Sequence, residues 1–150
     1  MPYDIVSHKQ FLIRKNGIAD NTATNILTCY FPNANCALAI RLTLLATMSV
    51  GTDAFESSRI GTGCIVAARS VAAAVVTQAA TLTLTGIGTI SGGGTITLAY
   101  AVGSVSGGAT AENSFSVTVT IAATGTITTH HLNALVEIID SDDNVRVEPA

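Results

Sequence analysis

A strict alternation of apolar and hydroxyl residues constrains the fold of this chain more than any other feature. From Phe115 to Ile121 every odd position is apolar and every even position is serine or threonine. Successive side chains of a β-strand point to opposite faces of a sheet, so this pattern predicts a strand with one buried face. On the other face, β-branched threonines favour the extended chain and tolerate water.

Similar runs recur along the chain. Five further segments are predicted strands: 26–31, 40–44, 81–85, 95–100 and 132–139. Residues 26–31 and 132–139 carry apolar residues on both faces, as expected where a second layer or a second subunit covers the outside. Residues 65–77 favour two short strands around Arg69, since valine and isoleucine recur there and nothing caps a helix.

Short glycine-containing turns separate these runs. They lie at residues 16–17, 86–88, 91–94, 106–108 and 124–125. Strands joined by short turns are typical of an antiparallel sheet packed on another. The sequence therefore predicts an all-β protein, an antiparallel β-sandwich or jelly roll with an extended N-terminal arm.

Charge divides the 150 residues into three parts of a single domain. Lysine occurs only at Lys9 and Lys15, and Glu112 is the only charged residue between positions 70 and 136. We expect an N-terminal arm with the first strands at 1–36, a β-sandwich body at 37–140 and an acidic C-terminal tail at 141–150. A chain of this length is enough for one domain with a sizeable core.

Composition excludes several classes of protein. The chain is 48% hydrophobic and 11% charged, the opposite of a disordered segment. Its net charge of −3 offers no basic patch for nucleic acid. The most apolar stretch, 64–82, contains Arg69 and is predicted to be core, not a membrane span. No basic-then-apolar segment opens the chain, and three cysteines fit a reducing compartment.

So few charges leave the predicted strands poorly protected against pairing with other chains. Soluble monomers usually place lysine, proline or inward-pointing charges on their edge strands. Because residues 70–136 are rich in β-formers, they would be prone to aggregation if exposed. We therefore predict an obligate homo-oligomer; the alternative is a monomer that its threonines keep soluble.

The histidines and the acidic tail are candidate metal ligands. His130 and His131 are adjacent, so on a strand they point to opposite faces and are expected to form hydrogen bonds or pack; one ligand per protomer on a three-fold axis is the alternative. Residues 140–144 begin like a calcium loop, but Val145 stands where such a loop needs glycine. An acidic turn or a frayed tail is therefore expected at this point.

No catalytic constellation is recognisable. Residues 86–94 lack the order of a phosphate-binding loop and are predicted to be a hairpin connection. Asp53 and Glu56 are expected in a solvated loop that supplies Arg59 with a partner, with an acid–base pair as the alternative. Cys64 is expected to be a buried, inert thiol. We thus predict no enzyme activity, no cofactor and no metal.

The chain resembles virion structural proteins of tailed double-stranded-DNA phages. The resemblance rests on a Gly-Ile-Ala-Asp-Asn-Thr-Ala-Thr loop at 17–24, a Pro-Asn-Ala turn at 32–34 and the strand at 39–45. It continues through Glu56-Ser57-Ser58 and a histidine at 130 or 131 before the last long strand, and covers roughly 16–139. The paired histidines and the low charge depart from the pattern, which leaves the place in the virion open.

This resemblance implies a β-sandwich or jelly-roll protein of the particle. We expect a homotrimeric capsid decoration (cement) protein that is made in the host cytoplasm and binds the major capsid protein on the outside of the head. Several modest contacts per trimer would add through multivalency and stabilise the shell. We expect the arm at 3–31 to reach a neighbour by strand addition and charge contacts. The candidate contact residues are Phe11, Leu12, Ile13, Arg14 and Lys15.

A head-fibre or tail-fibre module that binds a host receptor or glycan is the alternative function. Such modules expose aromatic side chains at one end, whereas only 5% of this chain is aromatic, without tryptophan. We expect Tyr100 and Phe115 to belong to the core. Binding to host cells, contrasted with binding to bare capsids, distinguishes the two functions.

Overall fold

The computed structural model describes residues 7–50, 54–80, 83–89, 96–124, 129–141 and 144–150. Within these ranges the regular structure is all β, and there is no helix that could cross a membrane. The strands are β1 (Ser7–Ile18), β2 (Thr22–Phe31), β3 (Cys36–Val50), β4 (Ala54–Arg69), β5 (Val76–Ala79), β6 (Thr83–Thr89), β7 (Ile96–Val102), β8 (Asn113–Ala123), β9 (Thr129–Asp140) and β10 (Arg146–Pro149). The predicted all-β class is confirmed.

Two antiparallel sheets pack face to face. The large sheet has the order β1-β9-β3-β4-β5, and β6 also pairs with β4. The short strands β5 and β6 follow each other along one edge of β4, at residues 65–68 and 57–62. The small sheet has the order β10-β2-β8-β7. This arrangement confirms the predicted β-sandwich.

Strand β8 shows how the alternation builds the core. Its inward residues are all buried: Phe115, Val117, Val119 and Ile121. The serines and threonines between them are only half-buried, on the opposite face of the small sheet. Phe31 of β2 stacks on Phe115 with 5.7 Å between ring centroids. Burial of one large apolar side chain contributes roughly 1.5–3 kcal/mol, so such alternating strands are the main source of stability.

The described part of the N-terminal arm consists of two strands of the sandwich. Strand β1 forms one edge of the large sheet and pairs with β9, with a bulge between Lys15 and Ile18. Strand β2 lies inside the small sheet, between β10 and β8. Because Ile13 and Ile18 are buried, residues 7–18 are anchored to the core. Residues 1–6 lie outside the described residues.

The segment predicted as an acidic tail also contributes to the sandwich. Residues 146–149 form β10, which pairs with β2 from Arg146–Tyr30 to Pro149–Leu27. Val145 is buried and Val147 packs against the core, so the alternation of these valines turns one side of the segment inwards. The acidic residues before Val145 obscure this short period in the sequence.

A buried arginine organises one end of the sandwich. Strand β4 ends at Arg69 and β5 begins at Val76. The parts of residues 65–77 with regular structure are therefore strands, as predicted. The Arg69 guanidinium donates hydrogen bonds to four carbonyl oxygens: those of Phe31 (2.7 Å), Ala73 (3.0 Å), Ala109 (3.1 Å) and Ala111 (2.6 Å). It thereby joins the end of β2, the β4–β5 connection and the loop before β8.

Three predictions of turns or loops are wrong. Residues 16–17 form no turn between strands but lie in β1, at its bulge. The other two concern the neighbourhood of β4. The hairpin connection predicted to include residues 86–88 does not form there, because these residues lie in β6, where Ile87 pairs with Arg59 of β4. Glu56 lies in β4 and not in a loop; Asp53 lies outside the described residues. In both places the pairing along β4 extends the strand beyond what the local glycine and charge pattern indicates.

Candidate interaction surface on the large sheet

The large sheet has a buried face and an accessible face. We call the accessible side, which points away from the small sheet, the outer face. It carries the odd-numbered residues of β3 from 37 to 47 and of β9 from 131 to 139, and the even-numbered residues of β1 from 8 to 14 and of β4 from 60 to 68. In β3, Ile40, Leu42 and Leu44 point inwards and are buried.

Large apolar side chains are exposed on the outer face. They are Leu12 (79% exposed), Val76 of β5 (73%, in register with Ala68), Ile139 (54%), Val66 (50%), Ile60 (41%) and Leu45 (37%). Strand pairing places them close together: Ile139 and Val66 flank Ala39 in one row, while Leu45 pairs with Ile60 in another. Exposed apolar side chains grouped on one face in this way mark an interaction site more often than isolated apolar residues do.

A polar row crosses the centre of the same face. Arg41 of β3 is in register with Glu137 of β9 on one side and with Cys64 of β4 on the other. Two shallow concavities of about 480 and 240 Å³ share these three residues, and Thr43 and Thr62 line the larger one. Within the described residues no salt bridge joins Arg41 to Glu137. The two residues thus lie side by side on the outer face without pairing with each other.

The outward side of the small sheet has a different character. On β8 it presents half-buried Ser116, Thr118 and Thr120. Its exposed arginine, Arg146 of β10, already contacts the carboxylates of Glu112 and Glu148. The same guanidinium lies 3.9 Å from the ring centre of Tyr30. The small sheet thus shows an outward surface of hydroxyls and satisfied charges, unlike the outer face of the large sheet.

Strand β1 separates the five candidate contact residues between two faces. Phe11 packs against the core, and Ile13 is buried. Leu12 and Arg14 point to the outer face, where the Arg14 Nε donates to Asn16 Oδ1. The Lys15 ammonium contacts the carbonyl oxygen of Ala150. Of the five, only Leu12 and Arg14 therefore contribute to the outer face, and the predicted contact with a capsid stays a prediction.

The two histidines point to opposite faces, as predicted. His130 is fully buried, and its Nε2 lies 2.8 Å from Asp20 Oδ1. The hydrogen bond from His130 lowers the pKa of Asp20. His131 is on the outer face, with Nδ1 3.2 Å from Asn16 Oδ1. Both histidines hydrogen-bond, the role predicted for them; no cluster of three metal-binding side chains occurs within the described ranges.

Asp140 and the cysteines complete the candidate residues. The buried carboxylate of Asp140 accepts a hydrogen bond from the Val145 N–H at 3.0 Å, which ties the end of β9 to the residue before β10. Burial raises the pKa of Cys29 to about 12, and Cys36 is also buried. The prediction of a buried Cys64 is wrong: it is exposed on the outer face, because the alternation in β4 turns its even positions outwards.

Sequence reasoning missed the polar row. Arg41 stands between Ile40 and Leu42 in a predicted strand, so its outward direction was readable. Glu137 was less visible, because 132–139 carries apolar residues on both faces. Their juxtaposition depends on the pairing of β3 with β9, strands about ninety positions apart in the chain, which local patterns do not encode.

Comparisons with known proteins find similarity at the level of structure. The sequence matches no protein-family profile, and no curated protein matches it. Among solved structures, the chain is similar to the crystal structure of the Acinetobacter baumannii phage AM24 tailspike protein, with a TM-score of 0.52 and 11% identity. The match covers 95% of this chain and 28% of the tailspike chain. At this identity the likeness establishes a shared β-sandwich fold.

Proposed function

We propose that this chain is a structural protein of a tailed-phage virion. The observation that carries the proposal is the fold similarity to a phage tailspike protein over 95% of the chain. The resemblance of residues 16–139 to phage virion proteins, which rests on short sequence motifs, suggests the same class. The role is mechanical and non-enzymatic: two extensively hydrogen-bonded sheets form a rigid module that presents surfaces to neighbouring proteins.

Within the virion, a tail-spike or fibre module is the first candidate role. This role is favoured by the fold similarity to the AM24 tailspike protein. The matched region makes up 28% of the tailspike chain. A module of this kind would be one component of a larger spike or fibre, which attaches the particle to a host receptor or glycan.

Capsid decoration is the second candidate role, and strand β1 favours it. The outer edge of β1 has no partner strand within the described residues, so it could accept a strand from another protein. The edge also carries Lys9, Arg14 and Lys15, cations suited to an acidic capsid surface. In this role the protein, expected as a trimer, would bind the major capsid protein.

Labelling of intact particles tests the proposal. Virions of the encoding phage are purified, incubated with gold-conjugated antibodies raised against this chain, and imaged by electron microscopy, with a phage that lacks the gene as control. Gold at the tail tip or tail fibres supports the spike or fibre role, and gold distributed over the head supports decoration. Particles that carry neither label nor the peptide by mass spectrometry contradict the proposed function.

A further inference from the structure

We infer that the outer face of the large sheet is a two-fold interface between copies of this chain. The inference deepens the proposed function by naming the partner of that face. It rests on the proposed function only for the presence of many copies at one place in the particle. Its basis is the position of Arg41 and Glu137, which lie side by side on adjacent strands at the centre of the face without forming a salt bridge to each other.

The register of these charges makes the face complementary to itself. A second copy can be stacked on the first by a two-fold axis that is parallel to β3 and β9 and midway between them. This operation exchanges the positions of β3 and β9, so each Arg41 faces Glu137 of the other copy. Two sheets stack in this aligned manner, about 10 Å apart, within ordinary sandwiches. An isologous contact needs such a patch that matches itself.

The apolar residues surround this central charge pair. The same operation sets Ile139 of one copy against Ala39 of the other, so a large side chain meets a small one. Further out, the operation sets Leu12 against Thr62 of the other copy. It likewise sets Val66 against His8 and Ile60 against Arg14, so these exposed apolar side chains are covered when the faces stack. The surrounding side chains exclude water from the two charge contacts at the centre, as the residues around an interface hot spot do.

The dimensions of the face suit a stable contact. Because the axis lies between β3 and β9, four strand positions of each copy overlap, from β1 to β4. With strands about 4.8 Å apart and about 3.3 Å per residue along a strand, the overlap is on the order of 600 Å², at the low end of the roughly 600–1,000 Å² per partner of a standard interface. The outward side of the small sheet is a weaker candidate, because Arg146 there already contacts Glu112 and Glu148.

Charge reversal in trans tests the inference. Arg41→Glu places two carboxylates opposite each other in a pair of identical copies, and Glu137→Arg places two cations opposite each other. Each variant alone should associate at least about tenfold more weakly than the wild type in sedimentation equilibrium. In an equimolar mixture, however, both acidic positions of the Arg41→Glu chain face basic positions of the Glu137→Arg chain, so the two variants should form a mixed pair.

The mixture separates the interface from effects within one chain. Each variant keeps its like-charged neighbours on β3 and β9 in the mixture, so a loss of fold would not be rescued by mixing. Arg146→Glu makes the same change in net charge on the small sheet as Arg41→Glu does on the large one, and it should associate as the wild type does. Circular dichroism is used to check that the variants are folded.

Three results overturn the inference: a wild type that is monomeric at about 100 μM, single variants that associate as the wild type does, or a mixture that stays dissociated. If the wild type forms a trimer and the Arg41→Glu variant forms the same trimer equally well, the variant associates as the wild type does, and the inference is overturned. Because this measurement uses purified protein, its failure is distinct from failure of the particle labelling that tests the proposed function.

Discussion

His130 Nε2 lies 2.8 Å from Asp20 Oδ1, although the two residues are 110 positions apart in the chain. The same carboxylate oxygen accepts the Ala123 N–H at 3.0 Å. Asp20 therefore holds the turn between β1 and β2 against the ends of β8 and β9. A carboxylate only accepts hydrogen bonds, so His130 donates through Nε2, and its Nδ1 is buried without a partner in the described part of the chain.

Acid should weaken this contact. The hydrogen bond from His130 holds the pKa of Asp20 below its ordinary value of 3.8. A group whose pKa is lowered in the folded state stabilises the fold above its unfolded pKa, and this contribution is lost as the pH falls through the folded pKa. Asp20→Asn should therefore lower the melting temperature at pH 7 and reduce its fall between about pH 4 and pH 2.

The measurement is the melting temperature as a function of pH for wild type and variant. Because the Asp20 side chain is 43% exposed, Asp20→Asn should lower the free energy of unfolding at pH 7 by less than about 1 kcal/mol. Glu148→Gln, an exposed carboxylate on β10, is the control. Parallel pH profiles of wild type and Asp20→Asn would contradict the prediction.

Removal of the Arg69 guanidinium should be far more costly. Arg69→Ala leaves the buried carbonyl oxygen of Phe31 and three partly buried carbonyl oxygens without this donor. Each unsatisfied buried group costs about 1–3 kcal/mol, so we expect the free energy of unfolding to fall by about 3 kcal/mol or more. Guanidinium chloride titration measures this value. The exposed Arg146→Ala should lose less than about 1 kcal/mol. A similar loss in both variants would show that the carbonyl contacts of Arg69 are not important.

Gly107 should not tolerate a side chain. Its φ of +97° is unfavourable for other residues, and a Cβ there would collide with the carbonyl oxygen of Glu112. Gly107→Ala should lower the free energy of unfolding by more than about 1 kcal/mol. Gly108→Ala is the matched control, since a Cβ at that position has open space. The comparison is made by thermal unfolding, and equal stability of the two variants would refute this assignment.

The cysteines should differ in reactivity towards a thiol reagent such as DTNB. Cys64 is exposed, whereas burial raises the pKa of Cys29 to about 12 and leaves almost no thiolate at pH 8. In dilute native protein we expect one rapidly reacting thiol, which Cys64→Ser removes, and slow reaction of the others until the protein unfolds. Two or more fast thiols in the native protein would contradict the described burial of Cys29 and Cys36.

The alternation was enough to predict the fold class, but the ends of the elements were not readable. In β8 the period is unbroken, and the strand extends two residues beyond each end of the prediction. At residues 86–88 the two glycines indicated a turn, yet pairing with β4 keeps them extended, because tertiary hydrogen bonds outweigh local preference. In β10 the period is too short to be noticed without its neighbour β2.

The candidate site was predictable only in part. Leu12 and Arg14 were named from the sequence, and the structure places both on the outer face. The same reasoning grouped them with Phe11 and Ile13, although period two sends those residues inwards. Cys64 was assigned to the core because its neighbours are apolar. The structure shows that the even-numbered residues of this part of β4 point outwards, so Cys64 lies on the outer face. Which face of a strand is buried becomes clear only when the strands that pair with it are known.

The placement of lysine makes the two flanks of the sandwich chemically unequal. Both lysines lie in β1, whereas the sequences of β5, β6 and β7 on the opposite flank contain no charged residue. A strand that carries lysine resists the stacking of further chains, and one without charge does not. Edge-to-edge pairing with further chains is thus expected on the flank of β5, β6 and β7, and a cation introduced there should slow aggregation more than one added beside Lys9.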